Sequence, residues 1–564
     1  MKLQEKFGIY GIDDERTRKV IYPNRVVLTR GNVTGAENLK KFRPTQVAIY
    51  AYDDACVLDN RGSTENAAVL VDFGREIHGT VTVSIFTVST QHADFRLRFG
   101  ESVSEAITPI GEKGTTNDHA ERDMAFGAAS WSSNESNESG FRFAYLELLT
   151  PNCRVELRCI EGTLIFRDIE YKGSFQCSDP LVNQIYDTAA YTVHLNMQRY
   201  LWDGIKRDRL VWVGDLHPET MAILNVFGDA QILADSLDYL ASVTPPDKWM
   251  NTIATYTLWW IRNLAEWYRF TGDRQYLEKH ADYLEKTFGH VLSGMTDAGE
   301  WRAGEFLDWP TKHNGKGQVA GTQGLALIAA RETAFLADAL GREDLADKAR
   351  GMADRLSRLR PDPHGAKSAA ALLALSGLRT PREMYASTLG AGGHSGVSSF
   401  YGYYMIEAMS AVGEHQRALD TVRDYWGAML DMGATSFWED FNISWTNNAF
   451  RVDEAPVPGK KDIHGDYGEF CYKGFRHSLC HGWSAGPASW CINNVLGIRP
   501  VGVGCRTVEV NPSLGDLDWA EGAMAMPGGK RILVRIDKRS DGSLDVKVDA
   551  PDGVKVIRPQ ASVR

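Results

Sequence analysis

"DPLVNQIYDTAAYTVHLNMQRYL", residues 179–201, marks the point where the chain changes character. Val182, Ile185, Ala189, Val193 and Met197 recur at steps of three or four, which puts them on one stripe of an amphipathic helix. Asp179 offers an N-cap and Pro180 a first-turn proline. Comparable stretches follow, among them "TYTLWWIRNLAEWYRFTG", "TQGLALIAARETAFLADALG" and "WSAGPASWCINNVLG". About ten such segments precede residue 498. Paired helices in this number suit a closed toroid of six inner and six outer helices, an (α/α)6 barrel; periodicity alone does not separate it from an irregular bundle.

Outward from this segment the pattern is different on both sides. Residues 1–172 hold short alternating runs broken by Gly, Asn, Asp and Ser, such as "TQVAIYAY", "GTVTVSIFTV", "ADFRLRFG" and "FRFAYLELL". They predict an N-terminal, jelly-roll-like β-sandwich. Residues 108–140 interrupt them with a long polar connection, either an excursion toward a site or a flexible loop. Residues 499–564 return to strands, and "RILVRIDKRSDGSLDVKVDA" is a hairpin with Asp-Gly in its turn. The expected order is a β-sandwich at 1–172, a catalytic helical domain at 173–498 and a small β-sandwich domain at 499–564, a multidomain α and β protein.

The composition narrows the function. A net charge of -11 with scattered Lys and Arg argues against a nucleic-acid partner. No apolar run approaches about 18 residues, so no membrane span is expected. The first twenty residues lack an apolar signal core, which predicts a cytoplasmic protein, or a periplasmic or secreted one had a leader been removed. The eight cysteines form no C-x-x-C and no zinc spacing with histidine, so they read as small buried hydrophobes with no disulfide framework, metal or cofactor. His477 and His481, at i and i+4, suit a metal only with a third ligand, and none is apparent. Walker, Rossmann and nucleophile-elbow motifs are absent. Fifteen Trp and twenty-one Tyr suit ligands with C–H faces and hydroxyl edges, such as sugars. The oligomeric state is not legible.

Three loops combine acids with indoles. "YLWDGIKRDRLVWVGDLHPE", 200–219, carries Asp203, Asp208 and Asp215 among Lys206, Arg207, Arg209, Trp202 and Trp212. "GEWRAGEFLDWPTKHNGKG", 299–317, carries Glu305 and Asp308 beside Trp309. "GATSFWEDFNISWTNN", 433–448, carries Glu439 and Asp440 beside Trp438, with His481 and Trp483 downstream. Each can equally be an ion-paired connecting loop. As a set they suit glycoside hydrolysis, in which one carboxyl protonates the leaving oxygen and a second acts on water or on the sugar.

"DGIKRDRLVWVGD" resembles the D-C-P-x-R-E-R-x-G-W-x-G-D signature of the α-L-rhamnosidases of glycoside hydrolase family 78, with Asp203, Arg207, Arg209, Trp212, Gly214 and Asp215 in matching positions. "GATSFWEDF" and "SLCHGWSAGPASWCINNVLGIRP" resemble two further family segments. The resemblance implies an (α/α)6 barrel and hydrolysis with inversion. It implies Asp208 as general acid, Glu439 as general base, and Asp203, Arg207, Trp212, Asp215 and Glu305 in the sugar pocket. Trp309, Trp438 and His481 join that pocket from the loops above. The expected partner is a rhamnose-containing glycan or glycoside. The family usually has Glu where Asp208 stands, and Asp is a methylene shorter. Glu219 is therefore a reserve acid, and Lys206 suggests an acidic sugar beside the rhamnose. Other (α/α)6 lyases or phosphorylases, and a sugar-binding protein without turnover, are the competing expectations.

Overall fold

The computed structural model describes residues 6–8, 14–43 and 54–558. The expected strand "TQVAIYAY", residues 45–52, lies outside the described residues. Helices occupy the middle of the chain and sheets both flanks, a multidomain α and β architecture.

Ten described strands between Arg16 and Arg167 form one hydrogen-bonded network around the long strand Ala68–Val88. Its alternation sends Val69 and Val71 into a cluster with Phe95, Phe99 and Phe141, and Ala68 and Leu70 into a second with Phe143 and Tyr145. Both faces of this strand are therefore covered, which is why the stretch reads as nearly continuous apolar sequence.

The helix that opens the central segment runs Pro180–Asn196, with the Asp179 carboxylate accepting the Leu181 N–H at 2.8 Å. Six further helices are labelled here: α1 (Leu216–Val226), α2 (Ala254–Thr271), α3 (Gly315–Leu340), α4 (Lys367–Ser376), α5 (Gly402–Ala411) and α6 (Gly486–Trp490). Each packs on the next, and α6 returns to α1. A second set packs outside: Gln231–Val243 on α2, Glu343–Leu356 on α3, Pro381–Met384 on α4 and α5, and His415–Thr421 on α5. The stretch 275–292 falls in two helices, Arg274–Lys279 and Ala281–Leu292, meeting at His280. Helix α2 stops where Gly272, at φ 69°, takes the left-handed conformation that side chains avoid.

The C-terminal β segment contains a four-stranded sheet and a three-stranded one. The hairpin Arg531–Lys538 with Leu544–Asp549 forms as expected, with Gly542 at φ 82° in the turn. The sheet's outer strand is Ser174–Cys177, paired with Trp519–Ala525. A piece of chain ahead of the first helix thus belongs to the last sheet. No helix of the described residues is long and apolar enough to cross a membrane. No disulfide joins any of the eight cysteines among the described residues; seven are buried and Cys471 is half-buried.

Candidate active site

The acids collect at the mouth of the ring formed by the N-terminal ends of the helices. Asp215 immediately precedes α1, Tyr256 sits in the first turn of α2, and His481 and Trp483 lead into α6. Between Pro180–Asn196 and α1 the chain runs without a regular helix, and this stretch holds Asp203, Arg207 and Asp208. Asp208 and Arg209 both adopt positive φ, 52° and 54°. Two consecutive non-glycine residues in that region are strained, a condition that clusters at functional sites.

Arg207 joins the two carboxylates of the expected acid and base. Its Nη1 donates to Asp208 Oδ1 at 2.7 Å and its Nη2 to Glu439 Oε1 at 2.6 Å, across a separation of 231 residues in sequence (439 less 208). Glu439 is held at its other oxygen by the Ser478 N–H at 3.0 Å. Asp208 Oδ2 accepts the Trp212 Nε1–H at 3.1 Å. Asp208 remains 19 % exposed and Glu439 only 3 %. One carboxyl faces outward and the other lies deeper.

A relay lies beneath them. Tyr256 donates its hydroxyl to Asp215 Oδ1 at 2.9 Å, and Asp215 Oδ2 meets His481 Nε2 at 3.1 Å. The other ring nitrogen of His481 stands 3.8 Å from Glu439 Oε1. Gly214 is required here, because a Cβ would fall 2.3 Å from the Tyr256 ring. Burial raises the pKa of Asp215, against the pull of His481. Asp203, whose Oδ1 accepts the Leu210 N–H at 2.9 Å, is raised well above the usual carboxylate range by burial and by Asp208 and Asp215. Burial and then neighbouring Glu439 push Asp440 up to about 7.

Aromatic rings wall the same mouth. Tyr472 lies under the Arg207 guanidinium at 5.8 Å and edge-on to Trp309 and Trp483 at 6.1 Å. Trp212 meets Tyr256 edge-on, and Phe306 stands between Tyr256 and Trp309. Neither Tyr472 nor Tyr256 stands out in the sequence, where one reads as loop and the other as the start of a helix.

Several expected residues stand elsewhere. Glu305 is exposed, pairs with Arg302 at 3.4 Å, and lines a separate cavity with Glu300 and Lys316. Asp308 is buried and caps Thr311 and Ser398. Trp438 is buried, edge-on to Phe441 and His477, with no open face for a sugar. His477 and His481 share no helix: His477 accepts the Asp440 N–H at 2.8 Å, while His481 faces Asp215. Arg209 holds none of the acids; it donates to the Glu138 carbonyl and covers Trp202.

Lys206 is also not a free cation for an acidic sugar. Its ammonium is buried between Glu101 Oε2 at 2.8 Å and Glu105 Oε1 at 3.3 Å, and it donates to the carbonyls of Phe475 and His477. Burial works to lower its pKa, and the two glutamates more than reverse this. Glu101, Glu105 and His464 have the spacing of a cation site, and the cation the two glutamates meet is Lys206, while His464 meets Ser102 and the His477 carbonyl. Both glutamates come from the N-terminal β segment, so that segment clamps the acid-bearing stretch. Glu101 also accepts the Leu479 N–H at 2.6 Å, next to the turn that holds Glu439.

Glu219, the reserve acid, is fully buried and neither carboxyl oxygen has a hydrogen-bond partner. Burial, then Asp215 and Asp203, raise it well above its ordinary 4.5. The unfolded chain releases its proton above about pH 4.5 while the folded chain keeps it, so this group costs stability as pH rises. Glu219→Gln is therefore expected to gain stability relative to the parent progressively from pH 4.5 upward, with turnover preserved. Thermal unfolding at several pH values alongside a rate assay checks both; a dead E219Q would restore Glu219 to the chemistry.

Comparisons with known proteins bear on the fold and on the family it resembles. Residues 170–359 match the family profile described as the bacterial alpha-L-rhamnosidase 6 hairpin glycosidase domain. The match covers the first part of the helical ring. A curated alpha-L-rhamnosidase of Formosa agariphila is 27 % identical over 153 residues, 26 % of this chain and 16 % of the relative. The GH78 family rhamnosidase of Bacillus sp. GL1 superposes with a TM-score of 0.71 at 22 % identity, over 92 % of this chain and 56 % of that one. A rhamnosidase from Klebsiella oxytoca with rhamnose bound gives 0.67 at 20 %, over 85 % and 96 %. At these identities the structural likeness is one of fold. The chain spans about a sixth of the curated relative's length and just over half of the Bacillus chain. The resemblance to the α-L-rhamnosidases of family 78 is borne out.

Proposed function

We propose that this chain is an inverting α-L-rhamnosidase that removes terminal α-linked L-rhamnose from oligosaccharides or glycosides. We infer with it that the six ring helices and their outer partners form an (α/α)6 barrel serving as the catalytic domain, flanked by the two β modules. The observation that carries this reading is the convergence of Asp208 and Glu439 on the two nitrogens of one guanidinium.

In this mechanism Glu439, fixed by Arg207 and the Ser478 N–H, takes a proton from water on one side of the sugar. Asp208, nearer the opening, gives a proton to the glycosidic oxygen on the other. Asp203, Asp215 and His481 accept and donate hydrogen bonds at the sugar hydroxyls, and Trp212, Trp309 and Tyr472 pack on its apolar face. Names of the relatives, one of them with rhamnose bound, support the choice of sugar.

A panel of nitrophenyl glycosides, with the product anomer followed by NMR, tests the whole reading. Release of L-rhamnose as the β-anomer first is expected; the α-anomer, or no hydrolysis of any rhamnoside, rejects it. A second reading, sugar binding without turnover, draws on Asp208, whose two oxygens both already accept hydrogen bonds. Binding of rhamnose without any product would establish it.

A further inference from the structure

We propose that His119, on the polar excursion of the N-terminal β segment, is the proton relay that reloads Asp208. The inference rests on the inverting reading above. An inverting turnover ends with the proton taken from water on the base and none on the acid. The acid must be reprotonated before the next cycle, and Asp208 is only 19 % exposed.

Three side chains reach its carboxylate: Arg207, Trp212 and His119, the last with Nε2 at 3.4 Å from Oδ1. An arginine does not give up its proton in a protein, and an indole N–H is a donor only. Of the three side chains, only an imidazole both takes up a proton and gives it away. It is 32 % exposed, so it meets solvent on one side and the acid on the other. Apo distances of this kind shorten in the working complex.

The excursion is built to hold His119 there. Arg122 pins its base, donating to the carbonyls of Phe99 at 3.0 Å and Thr108 at 3.2 Å. Lys113 pairs with Asp466 at 2.7 Å, and its carbonyl accepts the Phe475 N–H at 2.8 Å. Asp118, ion-paired with Arg476, stands 3.8 Å from the same imidazole nitrogen. His119 itself has φ 64°, a strained conformation for a non-glycine residue. The groups facing the ring are thus Asp208 and Asp118, each with its own arginine, Arg207 and Arg476.

The step balances without a further reactant. The Nε2–H bond of the imidazolium breaks as the Asp208 O–H bond forms. That proton then passes to the glycosidic oxygen as its bond to the sugar breaks, and the neutral imidazole takes a new proton from solvent. The proton on Glu439 returns to solvent.

The test compares the full-length parent with His119→Gln and His119→Ala on a rhamnosyl disaccharide and on nitrophenyl rhamnoside, across pH, with and without added imidazole. His119→Gln is expected to lower kcat on the disaccharide by about 10–100-fold with KM unchanged, and to change the nitrophenyl rate much less, because nitrophenolate leaves without a proton. Imidazole is expected to restore His119→Ala. Parental kcat in His119→Gln at every pH, or no rescue of His119→Ala, overturns the relay while leaving the proposed activity in place. A parent inactive on both substrates overturns the proposed activity and the relay together.

Discussion

Glu439→Gln is expected to lower kcat on any rhamnoside by about 10³-fold, with binding of rhamnose retained. The amide keeps the shape and accepts at one of the two positions that Arg207 and Ser478 address, while its NH2 meets a donor at the other, and it cannot take a proton from water. Asp208→Asn gives a different signature. On a sugar leaving group the loss is expected at about 10²–10⁴-fold, whereas a nitrophenolate needs little help from an acid and loses less. Rates on the two classes of leaving group, measured on both variants, separate acid from base. Equal losses on both substrates in D208N would move the acid elsewhere, and an active E439Q would remove the base.

The second large effect is on stability. Lys206→Met should cost about 3–5 kcal/mol, because it leaves Glu101 buried without its cation and Glu105 with only Arg122, 3.7 Å away. Glu101 also holds the backbone beside Ser478, whose N–H fixes Glu439. The variant is therefore expected to melt earlier and to lose activity together. Adding Glu101→Gln and Glu105→Gln removes the stranded charges and should recover much of the melting temperature. Thermal scans of K206M and the triple variant decide this. A K206M protein as stable as its parent would mean that the clamp between the modules carries little energy.

Much of this site was legible, and unevenly so. Asp208, Arg207, Trp212 and Asp215 lie in one short motif, and local spacing is what a sequence displays. Glu439 could be found because its own segment resembles a family segment. What pairs across modules was not visible. Lys206 looked like a free cation because its partners are Glu101 and Glu105, about a hundred positions upstream in another fold. Glu305 and Trp438 have the right composition and the wrong direction, one toward Arg302 and the other into the core. Composition reports which side chains a loop owns and says nothing of where it aims them. The excursion at 108–140 admits two readings from sequence, and its contacts with Asp208 and Asp466 favour the one directed toward the site. The helices were easier, since period and caps are local. Their closure into a ring was not, since it depends on six contacts far apart in the chain.

The strand Ser174–Cys177, seated in the sheet of residues 519–549, bears on how this molecule is divided in the laboratory. A gene fragment begun at the first helix would leave the terminal sheet short of its border. One ended after the last helix would strand residues 174–177 with an unpaired ladder and a bare apolar face. One seam joins the chain on both sides of the helical ring, so a minimal helical piece has to keep both sides of it.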